Sequence, residues 1–183
     1  AGRAKRQGAQ NGHGPTDRVE NAMTASDHDP GPAPTAEETA ERFLENYVSF
    51  QYAFIEFLAE HLTDVAREFG GDLQPPMILA VLGQRILLWQ AEADRAAAGE
   101  GPPPWSPTMA TARIADVTGI PRETVRRKLA DLEARGWIAR DADGKWGIAR
   151  VGDRAPARDA LAELDRRGVA RVAKLYTVLR DLT

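Results

Sequence analysis

The 183-residue chain contains no cysteine. That excludes disulfides, thiolate metal sites and thiol redox sensing. Its three histidines, His13, His28 and His61, are scattered, so no metal-ligating cluster is expected. No apolar run is long enough to span a bilayer, and no secretory signal is expected. Patterns that carry catalysis are missing too. There is no nucleophile–base pairing, no Gly-rich phosphate loop and no metal-ligand spacing, and the carboxylates are scattered along helix faces. The expectation is a protein that is not an enzyme, with no catalytic residue, no cofactor and no metal.

Charge is present but unevenly placed. The net charge of −3 divides into 0 over residues 1–35, −8 over 36–107, +3 over 108–150 and +2 over 151–183. A basic segment on an acidic body suits a module that faces phosphate.

Within that basic segment, Thr108 to Ala149 organises the chain. Ile114 and Val117 mark one face of a first short helix. Gly119 suits the sharp turn that follows, and Pro121 fits the start of the next helix. Val125, Leu129 and Leu132 form one buried stripe. The opposite face carries Arg122, Glu123, Thr124, Arg126, Arg127 and Lys128, and Gly136 fits a helix stop. Trp137 and Ile138, then Trp146 and Ile148, flank Asp143-Gly144, a strong hairpin signal. The predicted fold class is mainly α: a winged helix-turn-helix with a small β-hairpin wing and long flanking helices.

Four segments are expected. Residues 1–34, poor in large apolar groups, read as a disordered tail. Within it, Met23 is a candidate initiator, and Arg3, Lys5 and Arg6 a candidate DNA-contacting arm. Residues 35–107 read as a two-helix dimerisation and sensor region ending in a Pro-rich linker. Thr35 and Glu38 form a capping box for a helix reaching about Phe69. Leu44, Val48, Ile55, Leu58, Leu62, Val65 and Phe69 form one stripe on it. Phe43, Tyr47, Phe50, Phe54 and Phe57 form a second, from which a dimer interface is inferred. Gly70-Gly71 breaks that helix, Pro75-Pro76 restarts the chain, and a second helix runs from Met77 to about Ala98. Trp105 is expected to pack on the winged helix. Residues 108–150 read as the winged helix-turn-helix, the segment expected to bind DNA. Residues 151–183 are a terminal dimerisation helix opened by Pro156, with a seam of Leu161, Leu164, Val172, Leu175, Leu179 and Leu182, and Gly168 in one stripe position.

The stretch from Thr108 to Ala149 resembles the winged-helix domains of bacterial transcription regulators. Arg122-Glu123-Thr124-Val125-Arg126-Arg127 is similar to the R-E-T-V-x-R recognition-helix signature of the catabolite activator protein family. That resemblance implies that Arg122, Glu123 and Arg127 read base edges. The upstream segment lacks the Gly-rich strands of a cyclic-nucleotide β-roll, so no cyclic nucleotide is implied. The order of helices resembles MarR-type regulators. It implies a homodimer and, as a further partner, an apolar small-molecule effector between the first two helices and the winged helix.

An Arg fork can pair with the O6 and N7 edge of guanine, and a Glu can accept from a cytosine amino group. Thr124 and Arg126 are the expected phosphate contacts of the recognition helix, over residues 121–135. Thr111 and Arg113 add phosphate contacts from the preceding helix. Arg140 and Lys145 are placed to reach the backbone or minor groove from the wing, opposed by Asp141 and Asp143. The expected function is sequence-specific binding of double-stranded DNA in the bacterial cytoplasm, at the nucleoid, with no membrane association. A winged helix that docks an acidic protein partner is the alternative.

Overall fold

A computed structural model describes residues 34–96, 103 and 105–182. The expected tail over 1–34, with Arg3, Lys5, Arg6 and Met23, lies almost wholly outside the described residues, as does much of the linker.

Residues from Ala36 onward form one unit. Its elements are α1 (Ala36–Glu45), α2 (Tyr47–Glu68), α3 (Gln74–Ala96), α4 (Thr111–Thr118), α5 (Arg122–Ala134), β1 (Ile138–Arg140), β2 (Trp146–Ile148) and α6 (Pro156–Arg180). This is the mainly helical winged helix-turn-helix that the patterning predicts.

The single first helix expected from Thr35 to Phe69 is divided at Asn46. The Asn46 side-chain amide donates to the Arg42 carbonyl at 3.1 Å, beside its own backbone N–H at 3.0 Å. A side chain competing for a helical carbonyl bends the ladder without ending it, and Phe50 N–H still bonds the Asn46 carbonyl. α3 begins earlier than expected, at Gln74. Pro75 and Pro76 lie inside its first turn, where a missing N–H costs nothing. Asp72 accepts from the Gln74 N–H at 2.9 Å just ahead of the helix.

One core unites the winged helix with the helices on either side of it in sequence. Ile78, Leu82, Ile114, Val125, Leu129, Leu132 and Ile138 are fully buried. Phe69 from the end of α2 and Leu164 from α6 join the same cluster. The core therefore runs across the boundary expected at residue 107, and α3 serves as a helix of the winged fold. Phe69, Ile78 and Leu82, from the end of α2 and from α3, pack with the winged helix in this core, on the side where an effector was expected.

α2 and α6 pair antiparallel. Asp64, buried, accepts from Arg167 Nε at 2.7 Å, from Arg171, and from Arg67 at 3.0 Å. Further along, Glu56 meets Lys174 at 2.8 Å. The arginines hold the Asp64 carboxyl well down, to about 2 from an ordinary 3.8. α6 runs unbroken through Gly168, which is buried against His61, where an added Cβ would lie 3.6 Å from the imidazole. The α2–α6 seam leaves a partly open cleft of about 10 Å³, room for roughly one water.

This pairing leaves α2 with an uncovered back. Ala53, Glu56, Phe57, Glu60 and Asp64 face α6. At helical spacing, Leu44, Val48, Ile55, Leu58 and Leu62 fall on the opposite side, and all five are exposed, Val48 by 80% and Leu44 by 70%. α1 buries no residue at all.

Candidate nucleic-acid interface

The turn between α4 and α5 is fixed by Gly119. It takes φ 69° in the left-handed region, and its N–H bonds the Ala115 carbonyl at 2.9 Å. α5 is anchored by Val125, Leu129 and Leu132, all buried. It ends in a Schellman arrangement: Gly136 N–H reaches Glu133 O at 2.8 Å and Trp137 N–H reaches Leu132 O at 3.1 Å. A 13-residue helix is about 20 Å long and about 10–12 Å across, which suits a major groove ~12 Å wide.

The wing pairs Ile138 with Ile148 and Arg140 with Trp146 in antiparallel register. Met109 adds a bridge on the far side of β2, exchanging both backbone bonds with Trp146 at 2.8 Å. Gly147 permits this close approach, since a Cβ there would sit 3.0 Å from Thr108. The wing tip is organised by Asp141, which the sequence suggested only as a charge opposing DNA. Its carboxylate accepts from the backbone N–H of Asp143 and of Lys145 and from the Thr108 hydroxyl, at 2.9, 2.8 and 2.5 Å. Those donors, the Thr108 hydroxyl foremost, hold its carboxyl below the usual range. The Asp-Ala-Asp-Gly run is an Asx-turn signal that could have indicated this role.

Six of the nine expected site residues line one open concavity of about 880 Å³ between α5 and the wing: Arg122, Glu123, Arg126, Arg127, Thr111 and Arg140. Ala130, Gly144 and Trp146 complete its wall. Thr124, Arg113 and Lys145 are outside that lining. Four guanidinium groups face one carboxylate, so the concavity attracts anions. Arg122 and Arg127 make no hydrogen bond or ion pair among the described residues, which leaves their forks available. Lys128 points elsewhere: it lies beside the buried stripe and pairs with Asp72 at 2.5 Å, tying α5 to the α2–α3 loop.

Sequence reasoning missed Trp146 as a member of the wall. Its indole N–H donates to the Thr111 hydroxyl at 3.0 Å. That leaves the hydroxyl hydrogen of Thr111 free to donate outward. The Arg140 guanidinium lies 4.2 Å from the centre of the Trp146 ring, while Glu133 is 3.7 Å from the same arginine. Lys145 pairs with Asp143 at 3.1 Å. Trp105 packs on α3 rather than elsewhere on the winged core: it donates to Glu92 at 2.9 Å and stacks under Arg85 at 4.6 Å.

Residues 96–142 match the IclR helix-turn-helix domain. The match spans the linker, α4, α5 and β1, which carry most of the concavity's lining; Gly144 and Trp146 lie beyond it. It makes this stretch a helix-turn-helix of a DNA-binding kind used by transcription regulators, not of an enzyme family. No curated protein and no solved structure matches the chain. No helix among the described residues is long and apolar enough to cross a membrane.

Proposed function

We propose that the chain is a bacterial transcription regulator that binds double-stranded DNA as a homodimer and reads sequence with α5 in the major groove. The carrying observation is the concavity in which Arg122, Arg126 and Arg127 on α5 meet Arg140 of the wing. Arg122 and Arg127, with unoccupied forks, take guanine edges. Thr124, Thr111 and Arg113 take phosphates and set the register of the helix. Arg140 and Lys145 add modest wing contacts, because both already have protein partners.

Dimerisation is supported by the exposed back of α1 and α2, the Leu44, Val48, Ile55, Leu58 and Leu62 stripe, and not by the Phe43–Phe57 stripe from which the sequence inferred the interface: Phe57 faces α6, and Phe43, Phe50 and Phe54 stack on one another. A contiguous apolar face of this kind is uncommon on a monomer. Two recognition helices in a two-fold dimer engage half-sites about 34–36 Å apart.

Selection of bound duplexes from a random DNA pool tests the proposal. The expected result is a near-palindromic motif in which Arg127→Ala relaxes one defined base pair per half-site, by roughly 5- to 150-fold. Absence of enrichment, with only weak binding that vanishes as salt rises, would overturn it in favour of a winged helix that docks an acidic protein.

A further inference from the structure

Glu123 and Arg126 form the one ion pair inside the lining of the concavity. Arg126 Nε donates to Glu123 at 3.0 Å and Nη2 donates at 2.7 Å. The pair is therefore side-on, through the Nε–Nη2 edge of the guanidinium. Nη1 makes no hydrogen bond among the described residues. The end-on edge, Nη1 with the second Nη2 hydrogen, stays open, and that is an edge that matches guanine O6 and N7.

Stability does not account for the pair. Both side chains are about three-quarters exposed, and such surface pairs contribute little to folding. A carboxylate in a phosphate-facing concavity also repels DNA, unless a cation is held against it. Ala130, one turn beyond Arg126 on the same face, adds no bulk beside the fork.

We infer that Arg126 is a base-reading residue and Glu123 its positioning residue, the Glu123–Arg126 pair presenting a fixed fork to guanine. This rests on the DNA-binding proposal above and reassigns two residues within it. Glu123 acts through Arg126 rather than on cytosine, and Arg126 reads a base rather than a phosphate. Fixing the side chain before binding removes rotamer entropy that docking would otherwise cost.

The test is selection from a random duplex pool with the wild type, Arg126→Ala, Glu123→Gln and the double variant, beside affinity at several salt concentrations. Both substituted positions are exposed surface, and thermal unfolding of each variant is expected to match the wild type. Arg126→Ala is expected to lose roughly 5- to 150-fold discrimination at one base pair. Glu123→Gln is expected to relax that same base pair while tightening binding to random DNA, because a repulsive charge is gone. The double variant should discriminate no worse than Arg126→Ala alone. A merely structural role for Glu123 would not separate specific from non-specific affinity in this way. Relaxation at two different base pairs overturns the inference and leaves the DNA-binding proposal standing. So does an Arg126→Ala variant that weakens all sequences equally with a salt slope reduced by about one. A wild type that selects no sequence overturns both.

Discussion

Val48→Glu is the sharpest test of the homodimer. Val48 is 80% exposed in the single chain and sits in the stripe of Leu44, Ile55, Leu58 and Leu62, opposite the face that meets α6. In an isolated chain an exposed substitution of this kind changes stability by about 0.5 kcal/mol or less, and Glu is a good helix former. In a two-fold dimer built on this face, each valine would be buried. Burial of a valine side chain contributes about 1.5–3 kcal/mol, and symmetry counts it twice, so about 3–6 kcal/mol of dimer stability is lost. That raises the dissociation constant by roughly 10²- to 10⁴-fold. Desolvating two carboxylates adds to the loss. Light scattering over a concentration series reads the mass: the wild type is expected at twice 20.0 kDa and the variant at 20.0 kDa. Phe54→Glu, on the aromatic side, is expected to disturb the dimer less, because Phe43, Phe50 and Phe54 already stack on one another at 5.0 and 5.9 Å. A wild type that is monomeric at tens of micromolar, as an order of magnitude, refutes the reasoning. So does a Val48→Glu variant that keeps the wild-type mass.

Three further outcomes follow from the packing. Leu129→Ala, at a fully buried position of α5, is expected to destabilise folding by about 2–5 kcal/mol in denaturant titration. A smaller change would mean that the recognition helix is not anchored as described. Asp141→Ala removes three accepted hydrogen bonds from the wing tip and is expected to speed amide exchange over 141–146 while leaving α5 protected; unchanged wing exchange would count against its role. Asp64 has a depressed carboxyl pKa, so its contribution to stability is full above pH ~4 and falls as pH drops toward about 2. Asp64→Asn is expected to be less stable at neutral pH and to lose less on acidification in that window, read by thermal unfolding at stepped pH.

The helix-turn-helix was legible because its determinants are local. Ile114, Gly119, Val125, Leu129, Leu132 and Gly136 lie within 23 residues, and each acts through a near neighbour on its own helix or turn. What was not legible depends on distant partners. Asp64 meets Arg167 and Arg171 across more than a hundred residues, and nothing in the local pattern of either helix names the other. α3 reads as apolar nearly all round, a pattern that signals burial but not which neighbours bury it. The division at Asn46 was not legible because the apolar repeat continues through it. In the site, the grouping of residue types on α5 was legible, since periodicity alone puts Arg122, Glu123, Arg126 and Arg127 on one side, where they line the concavity. The individual states were not: whether a charge is free, as in Arg122, or engaged, as in Arg126 and Lys128, is a property of three-dimensional partners.

Charge placement explains why one face of the molecule, and not its whole surface, suits DNA. Residues 151–183 carry a net charge of +2, yet several of their cations are engaged by the acidic body: Arg167 and Arg171 on Asp64, Lys174 on Glu56. Lys128, basic and on the recognition helix itself, is likewise held by Asp72, and its proximity keeps that carboxyl low. The guanidinium groups gathered on one open surface are those of Arg122, Arg126 and Arg127 on α5 and Arg140 of the wing. The segment of net charge −8 that carries α1, α2 and α3 would meanwhile repel a phosphate backbone brought against it. An overall charge of −3 is thus compatible with duplex binding, because the attraction is confined to the concavity and the repulsion acts elsewhere. The same asymmetry opposes docking of the apolar back of α2 toward DNA, so the proposed dimer would keep that face away from the duplex.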